Sequence, residues 1–576
     1  MYNGGFVQVS RDAILVPFYE HTVSWNSDHQ PRVQRHPKYN RTIIFWLLLF
    51  SHSPHYSDGL VTVTSPDRLP SVARIQDLYV LIGSTGTVGF HINHFIQAIS
   101  STMSFVLLKL RPAYKIKSTP RKASAWPIAS IRMYSQRPAW LEVCCNDSRP
   151  TPTLFAWNLS NLPSYNGSGY ATSSASGDSE KRIHVLGIGN LGRLFASSLA
   201  QAPDKPPITL VVHRKELLEQ WYEGQGIEIV RKGETERNKD FDIEWWTENE
   251  PETGPIREVA EGEKLSNLII TTKASAALPQ VDRVRGYLDR NSTVLFVQNG
   301  MSKLWPPHGS SYVSHRYHSS HEPNYLACVT THGVTSQGTF KSLHASLADV
   351  VVGAVLPNSL SIDKTTYLMK QLIEAPYLDA RAVSRGELWI LQLEKLVVNA
   401  VINPLTAILG CKNGALFDEN NEVLTRIIDQ LLSEASQVLQ LLVAHDSSAE
   451  ILGKQEKQLP AEPEATIDLS PKSLHERFSH SQLKNMIYQV GHKVRDNTSS
   501  MLQDVRAGRS TEIRDFNGWL VEMAAFLDPE LDVTCHGKLV ELVEAGRTLD
   551  VDQLGDYFSC SGRIQGTHER VTGTDR

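Results

Sequence analysis

The segment 182–202 constrains the fold more than any other part of the chain. A short apolar strand at 182–186 leads into Gly187-Ile188-Gly189-Asn190-Leu191-Gly192, and a helical pattern follows. In this context the first glycine permits a tight turn, the second lets a pyrophosphate approach the backbone, and the third lets the helix pack on the strand. Amide groups at the helix start then face the phosphates. The pattern predicts a dinucleotide site, although glycine-rich turns also occur in other α/β folds.

The order of the predicted elements divides the chain into two kinds of domain. Apolar or β-branched runs at 208–212, 268–272, 293–297 and 349–355 alternate with helical or mixed segments. Beyond residue 378 the spacing becomes helical, at 388–407, 421–443, 482–503, 513–526 and 538–545. We therefore expect an α/β doubly wound domain over 181–378, an all-α domain over 379–547 and a tail over 548–576.

Residues 1–180 differ from the rest in composition and charge. Residues 1–140 hold 15 Lys and Arg against 6 Asp and Glu, whereas the whole chain has a formal net charge of −5. The Ser- and Gly-rich stretch 164–179 is typical of a linker. We expect a poorly ordered, largely disordered basic extension here. The run 78–82, with Gly83, Gly86 and Gly89 after it, resembles a second glycine turn, but too little follows to complete a βαβ unit.

The segment 103–141 has the composition of an organelle transit peptide. It contains eight Lys and Arg and no Asp or Glu, and acid-poor basic sequence of this kind is typical of such peptides. Because transit peptides normally begin at the amino terminus, this interpretation requires either that translation starts near Met103 or that the hundred residues before it are an unusual extension. A disordered basic tail is the alternative. The predicted location is thus cytoplasmic or mitochondrial, and the sequence leaves the role of residues 1–180 open.

Composition excludes several classes of function. Beyond residue 140 the chain is acidic, with 42 basic and 56 acidic side chains, so it lacks the general positive charge that holds nucleic acid. Its six Cys include no Cys-x-x-Cys pair, which argues against a disulfide scaffold or a cysteine-based zinc module. The longest apolar run, 43–50, is far shorter than the roughly 20 residues of a membrane span. We expect a small-molecule protein, monomeric or homodimeric, that does not act on a membrane.

Histidines cluster in one predicted insertion. His308, His315, His318 and His321 lie between Asn299 and Thr330, and the last three have a metal-like spacing. The segment is rich in Ser and Pro, so we interpret 306–322 as a solvated loop insertion and expect no metal. A second polar, Pro-bearing insertion is expected at 451–480. The effect of both insertions on the site is left open.

The end of the second predicted strand indicates which dinucleotide is bound. An NAD enzyme places Asp or Glu there for the ribose 2'-hydroxyl, but this strand ends in Val212-His213-Arg214-Lys215. Arg214 offers a planar fork of donors suited to a 2'-phosphate. We therefore predict NADP(H) as the cofactor. The alternative is that Arg214 is simply an exposed residue at a helix start.

A polar stripe on an otherwise apolar helix is the strongest sign of chemistry. Lys395, Asn399 and Asn403 recur every four residues and therefore share one helix face. Such groups must face water or line a site, because unpaired burial costs a few kcal/mol each. Pro404 removes a helical hydrogen bond, so we expect the helix to bend or stop there. A surface helix with a solvated stripe is the alternative.

These residues belong to an ordered set of motifs. After the glycine turn the motifs are Thr272-Lys273-Ala274, Gln298-Asn299-Gly300-Met301, Thr330-Thr331-His332-Gly333, Lys395-Leu396-x-x-Asn399-x-x-x-Asn403-Pro404-Leu405-Thr406-Ala407, Ser499-Ser500-Met501-Leu502-Gln503-Asp504 and Thr511-Glu512-Ile513. In this order the set resembles the ketopantoate reductase family, or 2-dehydropantoate 2-reductases, and the resemblance extends over about 182–547.

The resemblance implies a Rossmann domain followed by a helical domain, with the active site between them. It implies NADPH-dependent reduction of 2-dehydropantoate to (R)-pantoate, a step toward pantothenate and coenzyme A. It assigns Lys395 as proton donor. Substrate contacts are assigned to Asn299, Asn399, Asn403, Asn413 and Ser500, and cofactor contacts beyond the glycine turn to Lys273, Asn299, Val334 and Glu512.

The expected chemistry suits these residue types. Hydride addition to a keto carbon leaves an alkoxide, which needs a proton and a nearby positive charge, and an ammonium group provides both. A partly desolvated Lys395 would have a lowered pKa, which favours proton donation near neutral pH. Reduction of another 2-oxo acid and a non-catalytic NADP(H) sensor remain as alternatives.

Overall fold

The computed structural model describes residues 137–165, 179–418, 420–453 and 467–559, together with six short strands near the amino terminus. The chain divides into two units, Met1–Ala125 and Trp126–Arg576. The predicted basic segment lies outside the described residues up to 136, as does 454–466 of the second predicted insertion.

The first unit contains three antiparallel strand pairs. They are β1 (Val7–Ser10) with β2 (Ala13–Leu15), β3 (Thr22–Trp25) with β4 (Pro31–Gln34), and β5 (Leu78–Ile82) with β6 (Val88–Ile92). The strand before Gly83 is therefore paired with an antiparallel neighbour, which is unlike the parallel strands of a dinucleotide-binding βαβ unit.

The second unit begins with a region of mixed strands and helices. Its elements are α1 (Ala139–Asn146), β7 (Phe155–Trp157), β8 (Ile183–Leu186), α2 (Asn190–Leu199), β9 (Ile208–Val212), α3 (Glu216–Glu223), β10 (Ile227–Arg231), β11 (Glu234–Asn238), β12 (Asp242–Thr247), β13 (Asn267–Ile270), α4 (Ala274–Val284), β14 (Thr293–Val297), α5 (His308–Arg316), β15 (Asn324–Thr330), β16 (Gly333–Gly338), β17 (Lys341–Ser346), β18 (Val350–Leu356), α6 (Thr365–Glu374) and β19 (Ala380–Ala382).

Helices alone make up the region that follows. They are α7 (Arg385–Leu409), α8 (Glu422–Ala444), α9 (Ala449–Leu452), α10 (Pro471–Arg477), α11 (His480–Lys493), α12 (Ser500–Arg506), α13 (Ile513–Leu527), α14 (Thr534–Glu544) and α15 (Val551–Ser559). The predicted fold class, an α/β domain followed by an all-α domain, is confirmed.

The central sheet has nine strands in the order β19-β18-β15-β14-β13-β8-β9-β12-β7. The six strands from β15 to β12 are parallel to their neighbours, and their order is that of a Rossmann sheet. Side chains along β13 alternate between two buried clusters, with Leu268 and Ile270 in one and Ile269 in the other. Both faces are thus covered, which explains why these strands are continuously apolar.

The packed region begins earlier than the sequence predicts. β7 pairs antiparallel with β12 at the edge of the sheet, and Leu141 and Leu154 are fully buried. The predicted boundary at residue 181 is therefore wrong for 139–162, which belong to the sheet domain. A three-residue strand and one short helix are too brief to show a clear hydrophobic period.

Four strands form a second, smaller sheet that the sequence analysis did not predict. Its order is β11-β10-β17-β16, with a parallel pair between β10 and β17. β11 and β16 are mostly exposed or half-buried, so they lack the apolar runs by which strands were recognised.

The segment 306–322 is not the solvated loop that was predicted. α5 forms within it, with Tyr312 fully buried, and the His308 ring packs 5.6 Å from that of Phe526. The Ser-rich composition of this helix obscured the spacing of its few buried residues in the sequence. No group of three or more His, Cys, Asp or Glu in the described parts of the chain is placed to hold a metal ion.

Two other predicted bounds need correction. The predicted helix 482–503 is broken between α11 and α12, and the Ser499 hydroxyl accepts a hydrogen bond from Leu502 N at 3.1 Å to start the new helix. The predicted tail contains α15, whose Leu554 and Phe558 are buried. Short helices docked by one or two apolar residues have weak sequence signals.

α7 is the central helix of the second region. It is long and apolar enough to cross a membrane, but 78% of its most apolar window is buried inside the protein. It packs against α12, α13 and α14 and against strands β15 and β18. The helix therefore lies between the sheet and the other helices, and its polar stripe can reach the ends of the strands.

The sequence predicted that α7 would bend or stop at Pro404, and it does not stop there but continues to Leu409. Proline cannot donate to the carbonyl four residues earlier, which here belongs to Ala400. That carbonyl instead accepts a hydrogen bond from Asn517 Nδ2 at 2.9 Å, in a buried contact from α13. Tertiary packing thus replaces the bond that proline removes and allows the helix to pass through.

Replacing Asn517 by Leu should lower the free energy of unfolding by about 1–3 kcal/mol, because it leaves the Ala400 carbonyl buried and unpaired. Pro404→Ala supplies an N–H for the same carbonyl. The double variant Asn517→Leu/Pro404→Ala should therefore lose less free energy of unfolding than the sum of the losses of the two single variants, as measured by chemical denaturation. Additive effects would contradict the exchange of one donor for the other.

Candidate active site

The three glycines of the turn after β8 occupy different environments. Gly187 has φ of +99°, and a Cβ there would lie 2.9 Å from Thr272 Cγ2. At Gly192 a Cβ would come within 2.2 Å of the Gly187 carbonyl oxygen. A Cβ at Gly189 would meet nothing within 4 Å. The turn is therefore tight at its first and third glycines and open at the second, where a ligand can approach the backbone.

The start of α2 is suited to an anion. Its N-cap residue is Gly189, which supplies no capping side chain, so the first N–H groups of the helix are available to a phosphate. The residues present thus fit the diphosphate of a dinucleotide. Next to the turn, Asn190 Nδ2 donates to the Val334 carbonyl at 3.3 Å, which places β16 beside the turn. The role expected for Val334 stays a prediction.

A buried guanidinium fixes the small sheet to the same turn. Arg193 donates to the carbonyls of Ile188 at 3.2 Å and of Gly338 and Lys341 at 2.9 and 2.8 Å. Burial lowers the pKa of Arg193 to about 10. Because Gly338 and Lys341 flank the tight turn of the β16–β17 hairpin, these contacts hold that end of the hairpin against the glycine turn. The sequence analysis did not identify Arg193.

Lys395 reaches across from α7 to the ends of two strands. Its Nζ donates to Asn299 Oδ1 at 2.9 Å and to the Thr330 carbonyl at 2.6 Å. Burial lowers the pKa of Lys395 to about 8, and the charge of Glu512 opposes this shift. Among the described residues the ammonium group is bonded to two neutral oxygens and to no carboxylate, so it can release its proton near neutral pH.

Asn299 is oriented by Glu512. Its Nδ2 donates to Glu512 Oε2 at 3.4 Å, so that Oδ1 is directed to Lys395. The other Glu512 oxygen accepts from the backbone N–H of Ala274 at 3.4 Å, at the start of α4. Burial raises the pKa of Glu512. The chain Glu512–Asn299–Lys395 therefore joins three segments that are far apart in sequence.

Asn399 and Asn403 continue the stripe of Lys395 along α7. Asn403 is 7% exposed, and its Nδ2 donates to Asn399 Oδ1 at 3.4 Å. Asn399 Nδ2 is buried with no partner among the described residues. The stripe is therefore not the solvated face of a surface helix, and it leaves one amide donor available to a ligand.

The two remaining predicted substrate residues lie at helix ends: Asn413 follows the end of α7, and Ser500 begins α12. Asn413 is buried and donates to the Val494 carbonyl at 3.3 Å, and its Oδ1 has no partner in the described chain. Ser500 is exposed at the first position of α12. Ser499 beside it is buried and bonded to Thr406 Oγ1 of α7 at 2.7 Å. This contact fixes the start of α12 against α7, and the preference for serine at helix N-caps is the signal that could have suggested Ser499.

Lys273 is bonded to the helical region. Its Nζ lies 2.8 Å from Asp504 Oδ2 and also donates to the Ser510 carbonyl. The sequence analysis included Asp504 in a motif but predicted no role for it. The pair links the start of α4 with the end of α12 beside the site, and it holds the predicted cofactor ligand Lys273 near Glu512.

Two buried histidines hold the segment that follows Thr330. His332 Nδ1 accepts from Ala348 N at 3.1 Å and lies 3.0 Å from His344 Nε2, and His332 Nε2 lies 3.2 Å from the Leu378 carbonyl. Burial lowers the pKa of His332, and it lowers that of His344 to about 4. Both rings are therefore neutral at physiological pH, and they fix the strand end that contacts Lys395.

Arg214 is exposed at the end of β9, as expected from the sequence. Its Nε lies 3.8 Å from Glu216 Oε2, and both side chains are more than half exposed. The sequence analysis did not weigh this carboxylate. Exposed pairs of this kind contribute little, so the guanidinium can still turn to another anion.

Reduction should depend on the protonation of Lys395. Below about pH 8 the ammonium form dominates, so the rate of reduction should be constant there and fall about tenfold per pH unit above it. Glu512→Gln removes a charge that raises the pKa of Lys395, and should move this break to lower pH. The measurement is the pH dependence of kcat/KM.

Lys395→Arg gives the control for this assignment, because a guanidinium keeps its charge in this range. Its residual rate should be at least about 100-fold lower and should lack the break. A break near pH 8 that persists in Lys395→Arg would assign the titration to another group.

A Rossmann sheet with an open glycine turn, and a desolvated lysine held at the neighbouring strand ends, define a dinucleotide-dependent oxidoreductase. Sequence models described as ketopantoate reductase PanE/ApbA and its C-terminal region match residues 183–357 and 388–548. The chain belongs to the ketopantoate reductase family, as its motifs predicted. It is a nicotinamide-dependent reductase that acts on a 2-oxo acid.

The names of similar proteins give two different activities. A ketoisovalerate reductase from Beauveria bassiana is 43% identical, over 73% of this chain and 98% of its own. Ketoisovalerate reductase BEA2 from Gibberella fujikuroi is 44% identical over the same shares. A 2-dehydropantoate 2-reductase from Saccharomyces cerevisiae is 26% identical, over 61% of this chain and 90% of its own.

Proposed function

We propose that this protein reduces the keto group of a short, branched 2-oxo acid, with Lys395 as the proton donor. The observation that carries this proposal is the buried Lys395 ammonium, whose partners within the described parts of the chain are the neutral oxygens of Asn299 Oδ1 and the Thr330 carbonyl. A bound nicotinamide would supply the hydride. Lys395 then stabilises the negative oxygen and transfers a proton to it, which completes the 2-hydroxy acid.

The other residues of the stripe bind and orient the acid. Asn399 offers an unpartnered amide donor, Asn403 holds that amide in place, and Ser500 offers a hydroxyl at the start of α12. Neutral donors bind a carboxylate without the strong charge pairing that would retain the product. Glu512 acts on the reaction through Asn299 and through its field at Lys395.

We propose ketoisovalerate as the preferred substrate. The support is the 43–44% identity to two ketoisovalerate reductases over nearly their whole length, against 26% for the yeast 2-dehydropantoate 2-reductase. Reduction of 2-dehydropantoate, the substrate expected from the motifs, is the second candidate. It is favoured by the buried acceptor Asn413 Oδ1, because 2-dehydropantoate carries a hydroxyl group that ketoisovalerate lacks.

The two acids can be compared directly on the purified protein. With NADPH, kcat/KM for ketoisovalerate should exceed that for 2-dehydropantoate at least about tenfold. The reverse order would support the second candidate. Tight NADPH binding with turnover of neither acid would instead support a non-catalytic sensor.

We further propose NADP(H) as the cofactor, with Arg214 at the 2'-phosphate. Support comes from the exposed guanidinium at the end of β9, the strand next to that of the glycine turn. Arg214→Ala should weaken NADPH binding about 10- to 100-fold, since charge-assisted bonds are lost, and change NADH binding less than twofold. Equal losses for the two cofactors would contradict the assignment.

Glu216→Gln is the matched control for Arg214. It removes the carboxylate that competes for the guanidinium, so NADPH should bind slightly more tightly and NADH should be unaffected. Calorimetric titration with both cofactors measures these differences.

A further inference from the structure

Two polar side-chain atoms just past the carboxyl ends of β13 and β14 have no role in the reaction proposed for Lys395. Thr272 Oγ1 and Gln298 Oε1 are both buried, and neither has a hydrogen-bond partner among the described residues. Native proteins rarely leave such groups unpaired, and an unpaired buried group is a sign of an absent ligand or water. Neither residue was among the predicted contacts, although both belong to the quoted motifs.

The position of these atoms follows from the order of the strands. β8, β13, β14 and β15 are consecutive in the sheet, and their carboxyl ends share one edge. β8 ends at the glycine turn, and β15 ends at Thr330, which contacts Lys395. Thr272 and Gln298 follow the two strands between them, which span about 10 Å from β8 to β14.

The pairing of β13 with β14 places the two residues side by side. Ile270 is the register partner of Phe296, and Thr272 and Gln298 each come two residues later. The Thr272 methyl faces the turn, since a Cβ on Gly187 would touch it at 2.9 Å. Gln298 precedes Asn299, which is bonded to Lys395. The pair therefore lies between the phosphate-binding turn and the proton donor.

We propose that Thr272 and Gln298 bind the nicotinamide half of the dinucleotide, an inference that rests on the proposed function. A dinucleotide with its phosphates on the turn and its reactive ring near Lys395 must pass these two residues. The nicotinamide half carries a carboxamide and ribose hydroxyls, which offer both donors and acceptors. The Thr272 hydroxyl and the Gln298 amide oxygen are complementary to such groups.

A comparison of two ligands distinguishes contact with the nicotinamide half from a general effect on the glycine turn. NADPH contains the nicotinamide half, and 2'-phospho-ADP lacks both its ribose and its nicotinamide but keeps the diphosphate and the 2'-phosphate. Thr272→Val and Gln298→Met remove the polar atoms at nearly constant volume. Each should weaken NADPH binding about tenfold and leave binding of 2'-phospho-ADP within twofold, by calorimetric titration of the whole protein.

Thr293→Val provides the matched control. Thr293 Oγ1 is also buried without a partner, but it lies at the opposite end of β14. This variant should bind both ligands as the wild type does, with the same thermal stability as Thr272→Val. It thus separates the loss of a buried hydroxyl in the sheet from the loss of one at the site.

The outcomes distinguish this inference from the function on which it rests. If Thr272→Val and Gln298→Met bind NADPH as tightly as the wild type, or lose both ligands equally, the assignment is wrong. If the wild type binds neither NADPH nor NADH, the proposed function itself is wrong.

Discussion

The structure of the site depends on a single ammonium group that is withdrawn from water and given only neutral partners. Lys395 projects from the largely buried helix α7, and its charge is held by an amide oxygen and a backbone carbonyl. A bonded carboxylate would stabilise the charged form and keep the proton in place. Glu512 instead accepts a hydrogen bond from Asn299, which separates its carboxylate from Lys395. Burial therefore lowers the pKa of Lys395, the charge of Glu512 opposes this shift, and Asn299 lies between the two groups.

Holding that lysine requires the two regions to fit together at several points. Asn517 satisfies the Ala400 carbonyl so that α7 can continue past Pro404, and Thr406 meets Ser499 where α12 begins. On the side of the sheet, His332 and His344 fix the strand end that carries the Thr330 carbonyl. Each contact is a buried hydrogen bond between segments distant in sequence, so the site depends on the completed fold.

Much of the fold could be predicted because the strongest signals are local and periodic. β8, β9, β13, β14 and β18 are apolar runs covered on both faces, and α7 and α8 keep a helical period over more than 20 residues. The small sheet, β7 and α5 were missed, since exposed strands, very short strands and Ser-rich helices have no such period. The break between α11 and α12 was also missed, although a serine cap marks it.

By itself, the sequence determined the glycine turn, the spacing of Lys395, Asn399 and Asn403 on one helix face, and the family. These depend on backbone geometry and on short-range periodicity, which the chain specifies residue by residue. Only the tertiary structure decided that Lys395 is bonded to Asn299 and Thr330, that α7 continues past Pro404, and that Thr272 Oγ1 and Gln298 Oε1 have no partner in the described chain. Desolvation and hydrogen-bond satisfaction are properties of the space between elements, so they are defined only when those elements are packed together.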